Sequence, residues 1–149
     1  MDEFDAHALH DLLKLRVDVF VVEQECPYPE IDGRDPDALH LRLLHGEELL
    51  ACARLFAPAA PGAHARIGRI AVSPAHRGHR LGEAVTREAV AACEARFPEC
   101  CIALSAQSHL VDFYEGFGFM IASQEYLEDG IPHVEMLRPG LRVPETTGP

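Results

Sequence analysis

At 149 residues, with hydrophobic side chains at 48% and charged ones at 25%, the chain has the size and make-up of one globular domain and not of a disordered or fibrous protein. Lys and Arg number 13 against 24 Asp and Glu, a formal net charge of -11, which excludes a broad phosphate-binding surface and a nucleic-acid partner and suits a cationic small substrate. No apolar run approaches the roughly 20 residues that span a bilayer, and the acidic start MDEFDAHALHD is unlike a secretory signal, so no membrane partner is expected and the chain is read as cytoplasmic.

Leu9, Leu12, Leu13, Val17 and Phe20 recur at three and four residues and predict an amphipathic helix from about His7 to Val21. Cys26 to Asp37 follows with three prolines, one glycine and four acids, a loop long enough to carry function. Its acids, Glu30, Asp32, Asp35 and Asp37, could attract a cationic amine or simply face solvent. Leu39–Leu44 and Leu49–Phe56, separated by HGEE, predict a strand hairpin. After the loop PAAPGAH, Ile67–Val72 predicts a third strand, which ends at Ser73 and Pro74 because proline cannot donate to a ladder.

Leu81, Val85, Ala89, Ala92 and Phe97 keep helical spacing in an alanine-rich stretch and predict a long helix closed by Pro98. Cys101–Leu104 is short and apolar enough for a central strand. Leu110, Phe113, Tyr114 and Phe117 make a further helical stripe stopped at Gly118, and two last strands, about Phe119–Tyr126 and His133–Leu137, flank the turn EDGIP. The order predicts an α/β (α+β) fold with one mixed central sheet and helices on both faces, a single domain over residues 1–139 and a frayed tail over 140–149.

Five cysteines without a CxxC pair point to reduced, mostly buried thiols and against a disulfide framework. His7 with His10 and His76 with His79 stand three apart but lack a carboxylate or cysteine at ligand spacing, so no metal is expected.

The chemistry concentrates in RIAVSPAHRGHRLGEA, residues 69–84, where a strand ends in a turn rich in donors and a long helix starts at once. The first N–H groups of a helix have no intrahelical acceptor and carry partial positive charge, so such a turn suits a phosphate. Gly78 and Gly82 let backbone approach a ligand, and Arg77 and Arg80 add charge. A strand-turn-helix unit with glycines present only for tight packing is the plainer alternative. The signatures of the common nucleotide-binding loops, G-x-x-x-x-G-K-S/T and G-x-G-x-x-G, are absent.

This stretch resembles the pyrophosphate loop of the GNAT superfamily of N-acetyltransferases, Q/R-x-x-G-x-G/A, with Arg77, Gly78, His79, Arg80, Leu81 and Gly82 on its positions. Arg77 and Gly82 match; Arg80 stands where the family has glycine. QSHLVDFYEGFGF is similar to the family segment N-x-x-A-x-x-x-Y-E-K-x-G-F, with Gln107 at the asparagine and Tyr114 at the tyrosine. LRVDVFVVEQECPYPEIDGRD, His40 and EDGIPHVEM resemble the ElaA-type branch, and the likeness covers most of residues 12–138. The short N-terminus is a departure, since the family fold begins with a strand.

The resemblance implies the GNAT fold, with a splay between the strands before and after the loop and helix, and acetyl-CoA as co-substrate. It gives Ile70, Ala71 and Val72 the pantetheine arm, with the Ala71 N–H for the oxyanion, and Tyr114 the role of acid toward the leaving thiolate. A core tyrosine on a helical stripe is the alternative for Tyr114. Many relatives carry a base as a glutamate on the strand before the loop, but ARIGRIAV has no carboxylate, which leaves Glu23, His40 and His133 as candidates. The implied activity is acyl transfer to a small-molecule or peptide amine; a non-catalytic acyl-CoA sensor or docking module on the same fold is the alternative. Oligomeric state is not legible, and a homodimer is compatible with it.

Overall fold

Asp5 opens the first helix: its carboxylate accepts the N–H of Ala8 at 2.8 Å, and α1 runs Ala6–Val17 before continuing as a π-helical turn, Asp18–Glu23. A computed structural model describes residues 5–141. Of the tail expected over 140–149, residues 142–149 lie outside the described residues, as do residues 1–4. The described strands are β1 Leu39–His45, β2 Glu48–Phe56, β3 Ala65–Val72, β4 Ile102–Gln107, β5 Met120–Ile121, β6 Tyr126–Glu128 and β7 Ile131–Arg138. They form a mixed sheet in the order β1-β2-β3-β4-β7-β5, with β6 also paired to β7. Helix α2 spans Leu81–Arg96, and α3 spans Val111–Glu115 behind a 3-10 turn at Ser108–Leu110. This is the α/β arrangement that the order of apolar runs predicts.

The described residues fall into two compact units, one from 5–56 and 67–89 and the other from 57–66 and 90–141. In the first, β1 and β2 pair antiparallel from Leu39↔Leu55 to His45↔Glu48, as the hairpin reading expects. Ala51 to Leu55 are buried without interruption, so β2 is covered on both faces. Leu12, Leu15 and Val19 of the first helix pack on Cys52 and Ala71. Each such side chain contributes about 1.5–3 kcal/mol by leaving water. The inward stripe therefore differs from the predicted one: Leu9 is exposed, and Arg16 is among the most deeply buried side chains. An arginine reads as a solvent-face residue in any periodicity, and here it is buried because acids from the following loop neutralise it.

In the second unit, β3 pairs parallel with β4 at Ala65↔Ile102 and Arg66↔Ala103, and β4 pairs antiparallel with β7 from Ile102↔Arg138 to Gln107↔His133. Three predicted bounds shift. β4 runs on to Gln107, because Leu104 and Ala106 keep one face buried while Ser105 and Gln107 are only half-buried. α3 stops at Glu115; Gly118, at φ +89°, turns the chain afterwards, and a Cβ there would meet Arg138 Nε at 3.3 Å. The strand expected over Phe119–Tyr126 is two short ones. After Ile121↔Met136 the next pair is Tyr126↔His133, so residues 122–125 face only Val134 and Glu135. Ser123 Oγ accepts the Glu135 N–H at 2.9 Å, a side chain standing in for strand backbone.

Candidate functional site

The turn before α2 belongs to the first unit and keeps its amides free. Ala84 N–H donating to Arg80 C=O at 3.1 Å is the first bond of the helix, and among the described residues no N–H from Gly78 to Glu83 finds an acceptor. Arg77 to Arg80 are exposed. Gly78 sits at φ +88°, with nothing within 4 Å of where a Cβ would be. Arg80, the departure from the family pattern, adopts φ +57°, the left-handed conformation that glycine would supply, so the turn survives the substitution. Open amides, room over Gly78 and the two guanidinium groups fit a diphosphate.

The strand leading into this turn has two unlike edges. Ser73 N–H donates to Leu50 C=O of β2 at 2.8 Å, and the Cys52 thiol of β2 lies 3.9 Å from Arg69 C=O. Backbone groups alternate along a strand, so the N–H groups of Ile70 and Val72 turn to the other edge. The Ala71 N–H, to which resemblance assigns the oxyanion, shares the β2 edge with that of Ser73, and the donors facing away from β2 are those of Ile70 and Val72. Just before them, Arg69 has φ +50°.

Three of the four loop acids, Glu30, Asp32 and Asp35, are bonded to arginines of the same unit. Glu30 is buried: Oε1 accepts from Arg16 Nε at 3.1 Å, and Oε2 accepts from Arg69 Nε at 2.6 Å and from the Tyr28 hydroxyl at 3.3 Å. Asp32 takes both ends of the Arg54 fork at 3.0 Å, and Asp35 accepts from Arg16 Nη1 at 2.6 Å and Arg54 Nη1 at 3.2 Å. The Arg54 bonds, with help from the Arg34 N–H, hold the Asp32 carboxyl well below the usual carboxylate range. Burial alone would raise Asp35, but Arg16 and Arg54 outweigh it and lower that carboxyl as well. Asp37 is exposed. Acids paired in this way leave no sign in a hydrophobic pattern; Arg54, alone charged among the apolar residues 49–56 of β2, was the clearest available signal.

Two base candidates lie in the same unit, each held by a partner. Glu23 Oε1 accepts from Arg77 Nη1 at 2.7 Å, so a proposed base and the first residue of the proposed cofactor turn are in contact. Arg77 Nη2 also reaches Val72 C=O at 3.4 Å, and His76 Nε2 lies 3.0 Å from Glu48 of β2. The His40 ring is buried, with Nε2 donating to Asp35 C=O at 2.9 Å, which makes it a brace for the loop.

Tyr114, Gln107 and His133 belong to the second unit. Tyr114 is buried in edge-to-face contact with Phe113 and Phe119, its hydroxyl has no hydrogen-bond partner among the described residues, and burial pushes the phenol up to about 12. His133 is the register partner of Gln107. Its Nδ1 lies 2.7 Å from Ile131 C=O, an atom that can only accept, so Nδ1 donates there. Nε2 is 3.4 Å from Glu128, and the ring stacks on Tyr126.

Around His133 lies a polar row that sequence reasoning missed. The Ser105 and Tyr126 hydroxyls share a short hydrogen bond, Tyr126 donates to Glu135 Oε2 at 3.5 Å, and Arg66 Nη2 is 2.9 Å from Glu135 Oε1. Burial, followed by the nearby Glu135, raises the Tyr126 phenol. The signal was the alternation of Ser105 and Gln107 with apolar neighbours in a strand read as uniformly apolar.

Cys52 and Cys93 are poor nucleophiles, since burial pushes their thiols up to about 12 and about 11. Cys26 is also buried, while Cys100 and Cys101 are half-buried. Among the described residues no group of three or more His, Cys, Asp or Glu is placed to hold a metal ion, and no helix is long and apolar enough to cross a membrane.

A family model described as an acetyltransferase (GNAT) domain matches residues 10–138. Protein ElaA of Escherichia coli (strain K12) is 41% identical over 138 residues, 91% of this chain and 90% of that protein. An acyl-CoA N-acyltransferase from Pseudomonas aeruginosa, known from its crystal structure, is similar at TM-score 0.86 and 41% identity, over 92% of this chain and 93% of that one. An aminoglycoside 6'-N-acetyltransferase crystallised with coenzyme A shares the fold at TM-score 0.74 and 13% identity, over 97% of each chain.

Proposed function

The chain belongs to the GNAT acetyltransferase family, on its ElaA-like branch, and from that premise we propose that it transfers an acetyl group from acetyl-CoA to a primary amine by direct attack in a ternary complex. Acyl transfer in general goes with the family; the donor, the amine acceptor and the residue roles are the proposal. The observation that carries it is the turn from Arg77 to Gly82, with its unpaired amides and a left-handed Arg80. Those amides and Arg77 would take the diphosphate of CoA, and the outer edge of Ile70–Val72 its pantetheine arm.

Bound acetyl-CoA would supply a thioester carbon open to a neutral amine. With Nδ1 held by Ile131 C=O, His133 takes the ammonium proton at Nε2. The N–H groups of Ile70 and Val72 steady the oxyanion of the tetrahedral intermediate. Tyr114 gives its phenolic proton to sulfur as the carbon–sulfur bond breaks, and Gln107 helps to hold the acyl carrier. Glu23, through Arg77, and His40, through the loop, act by support. One domain over 1–139 carries these roles, without metal.

Purified protein offered acetyl-CoA with polyamines, amino acids and peptides is expected to release CoA thiol with at least one acceptor. CoA binding without thiol release over the whole panel would favour the acyl-CoA sensor, a reading kept in view by the absence of a carboxylate in ARIGRIAV. ATP that displaces CoA in a thermal-shift titration would count against both.

A further inference from the structure

Left-handed backbone is an unfavourable choice for any residue with a Cβ, and β3 makes it at Arg69, immediately before the segment Ile70–Val72. A glycine would hold that bend more easily. An arginine adds a side chain that reaches out of the bend, and the Arg69 guanidinium is tied at its far end. Its Nε donates to Glu30 Oε2 at 2.6 Å, its Nη2 lies 3.6 Å from Asp32 Oδ2, and it packs over the Tyr28 ring.

The far end is itself fixed from three sides. Arg16, on α1, donates to both the side chain and the backbone carbonyl of Glu30, at 3.1 and 3.2 Å, and Tyr28 adds its hydroxyl. Arg54, on β2, takes Asp32 with both ends of its fork. The guanidinium groups of Arg16, Arg54 and Arg69 thus meet the carboxylates of Glu30, Asp32 and Asp35 in balance, with Arg16, Glu30 and Arg54 at 1%, 3% and 4% exposure. A buried ionic group of this kind adds little net stability over an apolar one of equal volume, but a rigid planar fork bonded in several places permits only one arrangement. We propose that the Glu30–Arg69 ion pair is a clamp on the β3 bend, making Glu30 and Arg69 positioning residues for the strand edge that receives the acyl carrier. The inference rests on the reading of that edge as part of the acyl-CoA site.

The test uses the full chain with Arg69→Ala, Arg69→Gly and Arg69→Lys; Arg69, partly exposed, is a gentler target than the buried Glu30. Two quantities are measured: amide hydrogen exchange at Ile70–Val72 without ligand, and the CoA dissociation constant by calorimetry. The alanine variant is expected to exchange about tenfold faster there and to bind CoA about tenfold more weakly, the factor that goes with releasing one left-handed residue, and the glycine variant, for which that conformation is cheap, to change less. Arg69→Lys, which keeps the charge, is expected to recover part of both. Should the alanine variant fail to fold, the glycine and lysine pair decides alone. Wild-type exchange in Arg69→Ala, or exchange in Arg69→Lys no slower than in Arg69→Gly, would overturn the clamp, and faster exchange with unchanged CoA affinity would overturn the positioning role. If the wild-type chain itself does not bind CoA, the proposed function falls, while the exchange rates still decide whether the clamp exists.

Discussion

A phenol with aromatic neighbours on its ring and no hydrogen-bond partner among the described residues is a proton held in reserve, and Tyr114 has that environment. Raised to about 12, it stays protonated across the pH range of any ordinary assay, so a loss of activity between pH 8 and 10, if seen, belongs to another group. Tyr114→Phe is expected to lower kcat by about 10²- to 10³-fold and to leave the KM for acetyl-CoA within about twofold, as read from steady-state kinetics. An equal kcat would assign the tyrosine to the core alone. His133→Asn separates bracing from basicity, because the asparagine amide can still donate to Ile131 C=O but offers no basic nitrogen. The expected result is a fall of about 10²-fold in kcat/KM for the amine with CoA affinity unchanged. A drop in melting temperature at full activity would make the ring a structural brace.

At the scale of elements, the helices and strands with simple periodicity were legible and those fixed by single polar contacts were not. β1, β2, β3 and α2 fall within a few residues of their apolar patterns, because hydrophobic spacing is the force that forms them. The divided strand at Phe119–Tyr126 turns on one hydroxyl, Ser123, and the inward face of α1 on Arg16, whose burial depends on acids 14 and 19 residues away. The turn from Arg77 to Gly82, proposed to hold the cofactor, was read through family likeness, and the conformation of Arg80 was not: a sequence shows that glycine is missing, not that arginine has taken its φ. The same reasoning makes Gly78 the sensitive position in the turn. Gly78→Ala places a Cβ on a residue at φ +88°, where open space does not relieve the backbone strain. A loss of about 1–2 kcal/mol is expected, lowering the melting temperature by about 2–8 °C and weakening CoA binding in the same titration.

For the molecule as a whole, a formal charge of -11 suggests a chain that gains from acid, since protonation would relieve repulsion among surplus carboxylates. The buried ion network argues the reverse. Asp32 and Asp35 both titrate below their ordinary range, chiefly through Arg54 for Asp32 and through Arg16, against burial, for Asp35. A carboxyl with a lower pKa in the folded than in the unfolded chain favours folding above the unfolded value, about 3.9, and that contribution is lost as pH falls through the folded value. Acid would also strip Arg16 and Arg54 of partners in a site with little water, so the lost attraction would leave uncompensated buried charge. The melting temperature is therefore expected to hold steady from pH 8 to 5 and to drop steeply below about 4. Asp32→Asn has already lost that carboxylate: its melting temperature should lie about 10 °C lower at neutral pH, and its further decline in acid should be shallower than the wild type's. Parallel acid curves for the two proteins, recorded by circular dichroism, would move the acid sensitivity to other carboxylates and show the Asp32–Arg54 pair to be marginal for folding.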